Sequence, residues 1–347
     1  MILPSTYYAT FALILLSLFC LGSWANTYKL TDKWRFELYY FDFVLGVMVT
    51  AGLAALTLGT LGFDGFSFLD DILHASKKQD ILGALAGVVF NLANMLLLAA
   101  ISLAGMAVAF PIAFGVALVV GVLWRYGLNP QGSPVLLFSG ALLVLLAVVL
   151  VSQAYKQYKL FNLDELVRTG QVKSTRKKVS IKAVYISVIS GLLLGCFYPM
   201  VQKSMEGDTG LGPYSEGFVF ALGMFLSTFL FNLFFMNLPV AGAPVEILEF
   251  FKGNIRQHLL GLAGGLVWYV GALCSFIAAG AEGQAGVNPA ISFGVIQAAA
   301  VLSAIWGLLL WKEFKNPRGK VRAMLSVTIA FYLLGLAMIS VGPLVGK

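Results

Sequence analysis

Residues 81–102, ILGALAGVVFNLANMLLLAAIS, and residues 259–280, LLGLAGGLVWYVGALCSFIAAG, decide the fold. Neither stretch carries a charge. Each supplies the roughly 20 apolar residues that a helix needs to cross a ~30 Å hydrocarbon layer. The two also align. Ile81-Leu82-Gly83 and Gly87-Val88-Val89 fall on Leu259-Leu260-Gly261 and Gly265-Leu266-Val267, and Phe90 and Asn91 fall on Trp268 and Tyr269. One stretch is a membrane span, and the other reads as its copy.

Outward from this pair, spans are predicted near residues 4–26, 38–60, 80–102, 104–127, 133–155, 181–203, 215–238, 257–280, 286–311 and 321–344. Composition agrees. Of the 347 residues, 59% are hydrophobic and 11% charged, where soluble domains carry about 25% charge. That excludes a soluble enzyme, a secreted disulfide scaffold and a disordered chain. The first run lacks the basic flank of a signal peptide and is read as a span. Cys20, Cys196 and Cys274 all lie inside apolar runs with no metal-ligand spacing, which makes them packing residues. Neither a metal nor a cofactor is expected.

The repeat extends over both halves. Leu21-Gly22-Ser23-Trp24 matches Leu194-Gly195-Cys196-Phe197, the Phe41–Gly46 stretch matches Phe218–Gly223, and Phe114-Gly115-Val116 matches Phe293-Gly294-Val295. Five spans, residues 1–155, are therefore followed by five more, residues 181–347, joined by a basic linker at 156–180. An odd number of spans per copy makes the second enter the membrane from the opposite side. The expected fold is all-α: ten transmembrane helices in a 5+5 inverted repeat.

Charge sets the orientation. Of the 23 Lys and Arg, 18 lie after spans 1, 3, 5, 7 and 9, and the positive-inside rule puts that face in the cytoplasm. Both termini are then outside, in a multi-pass protein of the cell (inner or plasma) membrane. The net charge of +7 reports this bias, not nucleic-acid binding. Two short amphipathic stretches, 66–75 and 246–252, recur before spans 3 and 8 and read as interfacial braces.

An inverted repeat can exchange conformations between its halves, opening a central site first to one side and then to the other. That favours a secondary transporter. A membrane enzyme would need a catalytic constellation, yet the only histidines are His74 and His258 and no phosphate-binding glycine motif is present. A channel is separated less well by sequence.

Gly22-Ser23-Trp24-Ala25-Asn26-Thr27-x-Lys29-Leu30, followed by Trp34-Arg35-Phe36-Glu37-Leu38-Tyr39-Tyr40-x-Asp42, resembles the amino-terminal signature of the ureide permease family. That family belongs to the drug/metabolite transporter superfamily, near the glucose/ribose porters and the rhamnose transporter. Asn288-Pro289-Ala290-Ile291-Ser292-Phe293-Gly294 with Gln297, and Trp306-Gly307 leading to Trp311-Lys312-Glu313-Phe314, add to the resemblance. It implies a ten-helix carrier for small polar metabolites: ureides, nucleobase-like heterocycles or sugars. Plant ureide permeases carry a long central loop with a phosphate-loop-like motif. The short loop here lacks one, which points to a bacterial relative.

Polar groups deep in apolar spans are costly unless they pair or face a cavity. Candidate solute contacts are Trp24, Asn26, Asn91, Asn94, Trp268, Tyr269, Asn288 and Gln297. Amides supply donors and acceptors, and rings supply stacking faces. Interhelical packing is the alternative for Asn91, Asn94 and Trp268, and an interfacial anchor and helix cap for Trp24 and Asn26. Asn288 precedes Pro289, so locally irregular backbone is expected there. Asp42, Glu216 and Glu282 are the candidates for proton coupling, with uniport open. The expected partners are a small polar solute, the bilayer and protons, with the chain a monomer or homodimer. A monosaccharide porter and an exporter of the same fold are the alternatives. Export of lipophilic cations would call for a membrane-embedded carboxylate.

Overall fold

The computed structural model describes residues 1–32, 34–128, 130–169, 181–281 and 283–345. All regular structure among them is helical. Ten helical segments are long and apolar enough to span a bilayer: α1 Tyr7–Lys29, α2 Phe36–Leu56, α3 Lys77–Ala104, α4 Met106–Gly127, α5 Pro134–Arg168, α6 Lys182–Ser204, α7 Pro213–Asn237, α8 Ile255–Ala279, α9 Gly283–Leu310 and α10 Gly319–Leu344.

Their ends follow local chemistry. Ser76 accepts the Gln79 amide at the start of α3, and Ser133 caps α5 with Pro134 in its first turn. Asn254 and Gln257 cap α8 reciprocally, which satisfies two otherwise orphaned donors. Gly105, at φ 87°, separates α3 from α4, in a region where an L side chain would be strained.

Two elements differ from expectation. Helix α5 does not stop near 155 but runs 35 residues, roughly 50 Å at 1.5 Å per residue. Residues 156–168 hold no Gly or Pro to break it, so part of the expected linker loop is helical. The rest of that loop, 170–180, lies outside the described residues. In α9, Pro289 occupies the first helical position and Asn288 its cap, where a missing donor costs nothing. The irregular backbone lies further on. The Pro289–Gln297 helix gives way to Ala299–Ile305 and then to a π-helical turn, Trp306–Leu310, closed by Trp311 N donating to Trp306 O. Of the two braces, Phe68–His74 is α-helical and Ile247–Lys252 a 3₁₀ turn.

Helix pairing has the pattern that a five-plus-five repeat would give. α2 packs on α8 as α3 does on α7, α1 on α8 as α6 on α3, and α1 on α9 as α6 on α4. α5 packs on α10 at the symmetric position. The two central crossings are backbone-close. A Cβ at Gly87 would lie 2.1 Å from the Phe220 carbonyl oxygen, and one at Gly265 would lie 2.0 Å from that of Phe43. Small residues permit such approaches where lipid gives no hydrophobic drive to helix association. Gly52, by contrast, has open space around its Cβ position. Gly265→Ala or Gly87→Ala is expected to destabilise the detergent-solubilised protein by about 1–3 kcal/mol, visible as a lowered Tm, whereas Gly52→Ala should leave Tm unchanged.

Candidate functional site

Between the two halves lie two small cavities in series. The inner one, about 90 Å³, is walled by Phe90 of α3, Phe197 of α6, Phe220 of α7, Trp268 of α8 and Phe293 of α9. The Phe90 and Trp268 rings lie 4.7 Å apart at 31°, and Phe220 stacks on Trp268 at 6.2 Å and 18°. The polar side chains in this wall are Tyr198, Ser275 and Gln297. The outer cavity, about 110 Å³, shares Phe197, Tyr198, Phe293 and Gln297 with the inner one and adds Arg125, Tyr126, Gln131 and Gln202. It opens beside the α4–α5 connection and the end of α10 near Pro343, on the face that carries both termini.

The opposite, basic face is closed by polar contacts between the ends of α1 and α9. Trp311 Nε1 donates to Asn26 Oδ1 at 2.7 Å, Trp306 Nε1 to Ser23 Oγ at 3.0 Å, and Ser303 Oγ to the Gly22 carbonyl at 2.8 Å. Lys29 pairs with Glu313 at 2.9 Å and lies over the Trp311 ring. Glu313 also accepts the Met106 and Ala107 amides at 2.9 and 2.8 Å, a carboxylate at the positive end of α4. Nearby, His258 Nδ1 and Asp42 Oδ2 are 2.8 Å apart, with the rings of Trp34 and Phe250 edge-on to the imidazole.

Of the expected solute contacts, Trp268 and Gln297 line the cavity, and Gln297 lines both chambers. The Gln297 Oε1 is buried and has no hydrogen-bond partner among the described residues. Trp24 sits beneath the chamber, 1% exposed, packed on Phe43 at 5.0 Å. Asn26 belongs to the closed face, and Asn288 caps its own helix through Ala290 N.

Asn91 and Asn94 do not line the cavity. The Asn91 side chain donates to Ser227 at 2.8 Å and Thr228 at 3.0 Å and accepts from the Tyr40 hydroxyl at 2.8 Å, while Asn94 donates to that hydroxyl at 3.3 Å. Their placement is that of a polar clamp joining α2, α3 and α7. Tyr269 turns away from Trp268, its hydroxyl directed at Gly217 of α7 and without a hydrogen-bond partner among the described residues. Among the coupling candidates, Glu216 is buried against Gly83, with Oε2 accepting from Ser204 at 2.6 Å and Oε1 without a partner among the described residues. Glu282 lies outside the described residues. No group of three His, Cys, Asp or Glu suited to a metal is found among the described residues.

The chamber rings were legible only jointly. Phe90 with Trp268, Phe43 with Phe220, Trp24 with Phe197 and Phe114 with Phe293 are aromatic at matching places in the two halves. Arg125, Gln131 and Gln202 carry no such signal, because they converge from separate helix ends.

Comparison with known proteins gives relatives of the whole chain. No family model matches the chain. Ureide permease 1 of Arabidopsis thaliana is 22% identical to it across 94% of this chain and 95% of that protein. Ureide permease 4 of the same plant is 21% identical, covering 94% and 95%, and ureide permease 5 is 23% identical, covering 95% and 93%. A solved structure, titled only as the crystal structure of a protein, superposes with TM-score 0.54 at 17% identity, over 96% of this chain and 98% of that one. It supports the fold. The relatives are named as permeases, not enzymes, and match a multi-pass membrane chain along nearly its full length.

Asn91→Leu would leave the Tyr40 and Thr228 hydroxyls short of a partner. It is expected to cost about 1–3 kcal/mol of stability, read as a lower Tm. A solute contact would instead lose transport at unchanged Tm.

Proposed function

We propose that the chain is a secondary carrier for a small, flat, hydrogen-bonding solute of the ureide or nucleobase-like kind, moved by alternating access. The observation that carries this reading is the chamber itself: stacked rings, one unpaired amide oxygen on Gln297, and access from a single face. A heterocycle offers two π faces and an edge of N–H and C=O groups. The rings suit the faces, and Gln297 Oε1 suits the N–H.

A monosaccharide fits less well. It presents hydroxyls around its whole rim, and each one desolvated without a partner is costly, yet among the described residues the inner wall holds only Tyr198, Ser275 and Gln297 as hydroxyl or amide side chains. An aromatic cage can also hold a cation. Against a cation exporter, Arg125 lines the approach, and no carboxylate lines either chamber among the described residues. The volumes, about 90 and 110 Å³, are below the ~300–1,000 Å³ of sites for drug-sized ligands.

With the basic face in the cytoplasm, the cavity is open to the outside. The matching aromatic pairs are then unequally placed. Phe197 and Phe220 line the chamber and their counterparts Trp24 and Phe43 do not; Trp24 is 1% exposed where Phe197 is partly exposed. Exchange of the two arrangements would close the outer face and open the inner one. Coupling to an inward proton gradient would make import the net direction. Asp42 with His258 on the cytoplasmic side, and Glu216 on the other, are the groups proposed to carry a coupled proton.

Uptake of radiolabelled allantoin, uracil, rhamnose and ribose into proteoliposomes, with and without an inward proton gradient, tests the reading. Allantoin or uracil should enter and the sugars should not. Entry of sugars alone would overturn the substrate class. Gln297→Leu should weaken the solute by about tenfold or more without lowering Tm, since it removes an unsatisfied buried oxygen. Asp42→Asn should permit solute exchange but abolish gradient-driven accumulation, which makes flux with and without the gradient the readout.

A further inference from the structure

The cavity is not electrically neutral. Arg125, in the last turn of α4, is the one charged side chain lining either chamber among the described residues. It forms no ion pair with any of them. Around it the outer wall supplies hydrogen-bond donors, the amides of Gln131, Gln202 and Gln297 and the hydroxyls of Tyr126 and Tyr198. A guanidinium beside neutral donors in an apolar, narrow opening focuses a positive field and matches a planar anionic edge bidentately.

We infer that Arg125 is the charge-selecting residue of the cavity, which admits flat solutes bearing a carboxylate or similar anionic edge and rejects cationic ones. This rests on the aromatic chamber as the solute site. The ring enters the inner chamber against the wall that Phe90, Trp268 and Phe197 form, and the anionic edge remains in the outer cavity with Arg125. A merely structural Arg125, offsetting the carbonyl end of α4, would support folding without discriminating between solutes by charge.

The test uses one ring in three charge states. Inhibition of uracil uptake into proteoliposomes is measured for orotate, which adds a carboxylate, and for 5-(aminomethyl)uracil, which adds an ammonium group. In the wild-type protein orotate should inhibit at about tenfold or more lower concentration than the cation. Arg125→Gln should collapse that ratio and Arg125→Glu should invert it. Equal inhibition by the two in the wild type, or a ratio that persists in Arg125→Gln, overturns the inference. If uracil itself neither enters nor binds, the heterocycle reading fails separately. The charge preference is then read from thermal stabilisation of the purified protein by benzoate against benzylamine. Stabilisation by benzoate that is lost in Arg125→Gln upholds the role of Arg125, and equal or no response to the two contradicts it. Thermal melting of each variant in the same assay identifies loss of folding.

Discussion

Backbone contact at two helix crossings is the constraint on which the centre of the molecule depends. At Gly87 the chain of α3 lies against the Phe220 carbonyl of α7, and at Gly265 the chain of α8 lies against the Phe43 carbonyl of α2. Three residues on, and therefore on the same helix face, come Phe90 and Trp268. Phe90 packs on the Phe220 ring at 5.5 Å, and Trp268 on the Phe43 ring at 6.2 Å. Each glycine thus places an aromatic side chain one turn further along the same interface. The two chains meet ring to ring at the middle of the protein, where the inner chamber lies. A side chain at either glycine would separate the helices and dissolve the chamber wall.

Around that centre the two faces are held differently. The face with the termini leaves a gap between the ends of α4, α6 and α10, whereas the basic face joins the ends of α1 and α9 through Asn26, Lys29, Trp311 and Glu313. Those contacts suit a closure that must reopen. Lys29 retains 23% of its side-chain exposure, and Glu313, 8% exposed, has the Met106 and Ala107 amides as further partners. The π-helical turn that carries Trp306 to Trp311 lies in this closure, in keeping with the frequent use of such turns at functional sites. The clamp of Asn91, Tyr40, Ser227 and Thr228 has the opposite character: with Asn91, Tyr40 and Thr228 buried and Ser227 half-buried, its mutual hydrogen bonds join α2, α3 and α7.

Much of this was legible in the residues. The spans follow from apolar length, and the alignment of Phe90 with Trp268 already paired the two rings that meet at the centre. Gln297 was visible as an amide in an apolar helix. What was not legible depends on partners from other helices. Asn91 and Gln297 look alike in sequence, yet one finds two hydroxyls on α7 and a tyrosine on α2, and the other finds none. No periodicity distinguishes them. Glu313 reads as a charge after a span, and only the fold brings it to the amides of Met106 and Ala107. Pro289 suggested a broken helix because its position relative to the cap cannot be read from hydropathy, and α5 was cut at the membrane boundary because its outer turns are polar.

The proposed solute chamber is reached from the face with the termini and closed at the basic face. The most direct measurement is protection from an impermeant thiol reagent applied to intact cells, comparing Gln202→Cys in the outer cavity with Ser23→Cys in the closed face, on a background with the native cysteines replaced by serine. The thiol at 202 should react from outside, and allantoin or uracil should slow its reaction, while the thiol at 23 should not react. Reaction at 23 from outside with 202 inert, or labelling at 202 unaffected by any solute the protein transports, would contradict it.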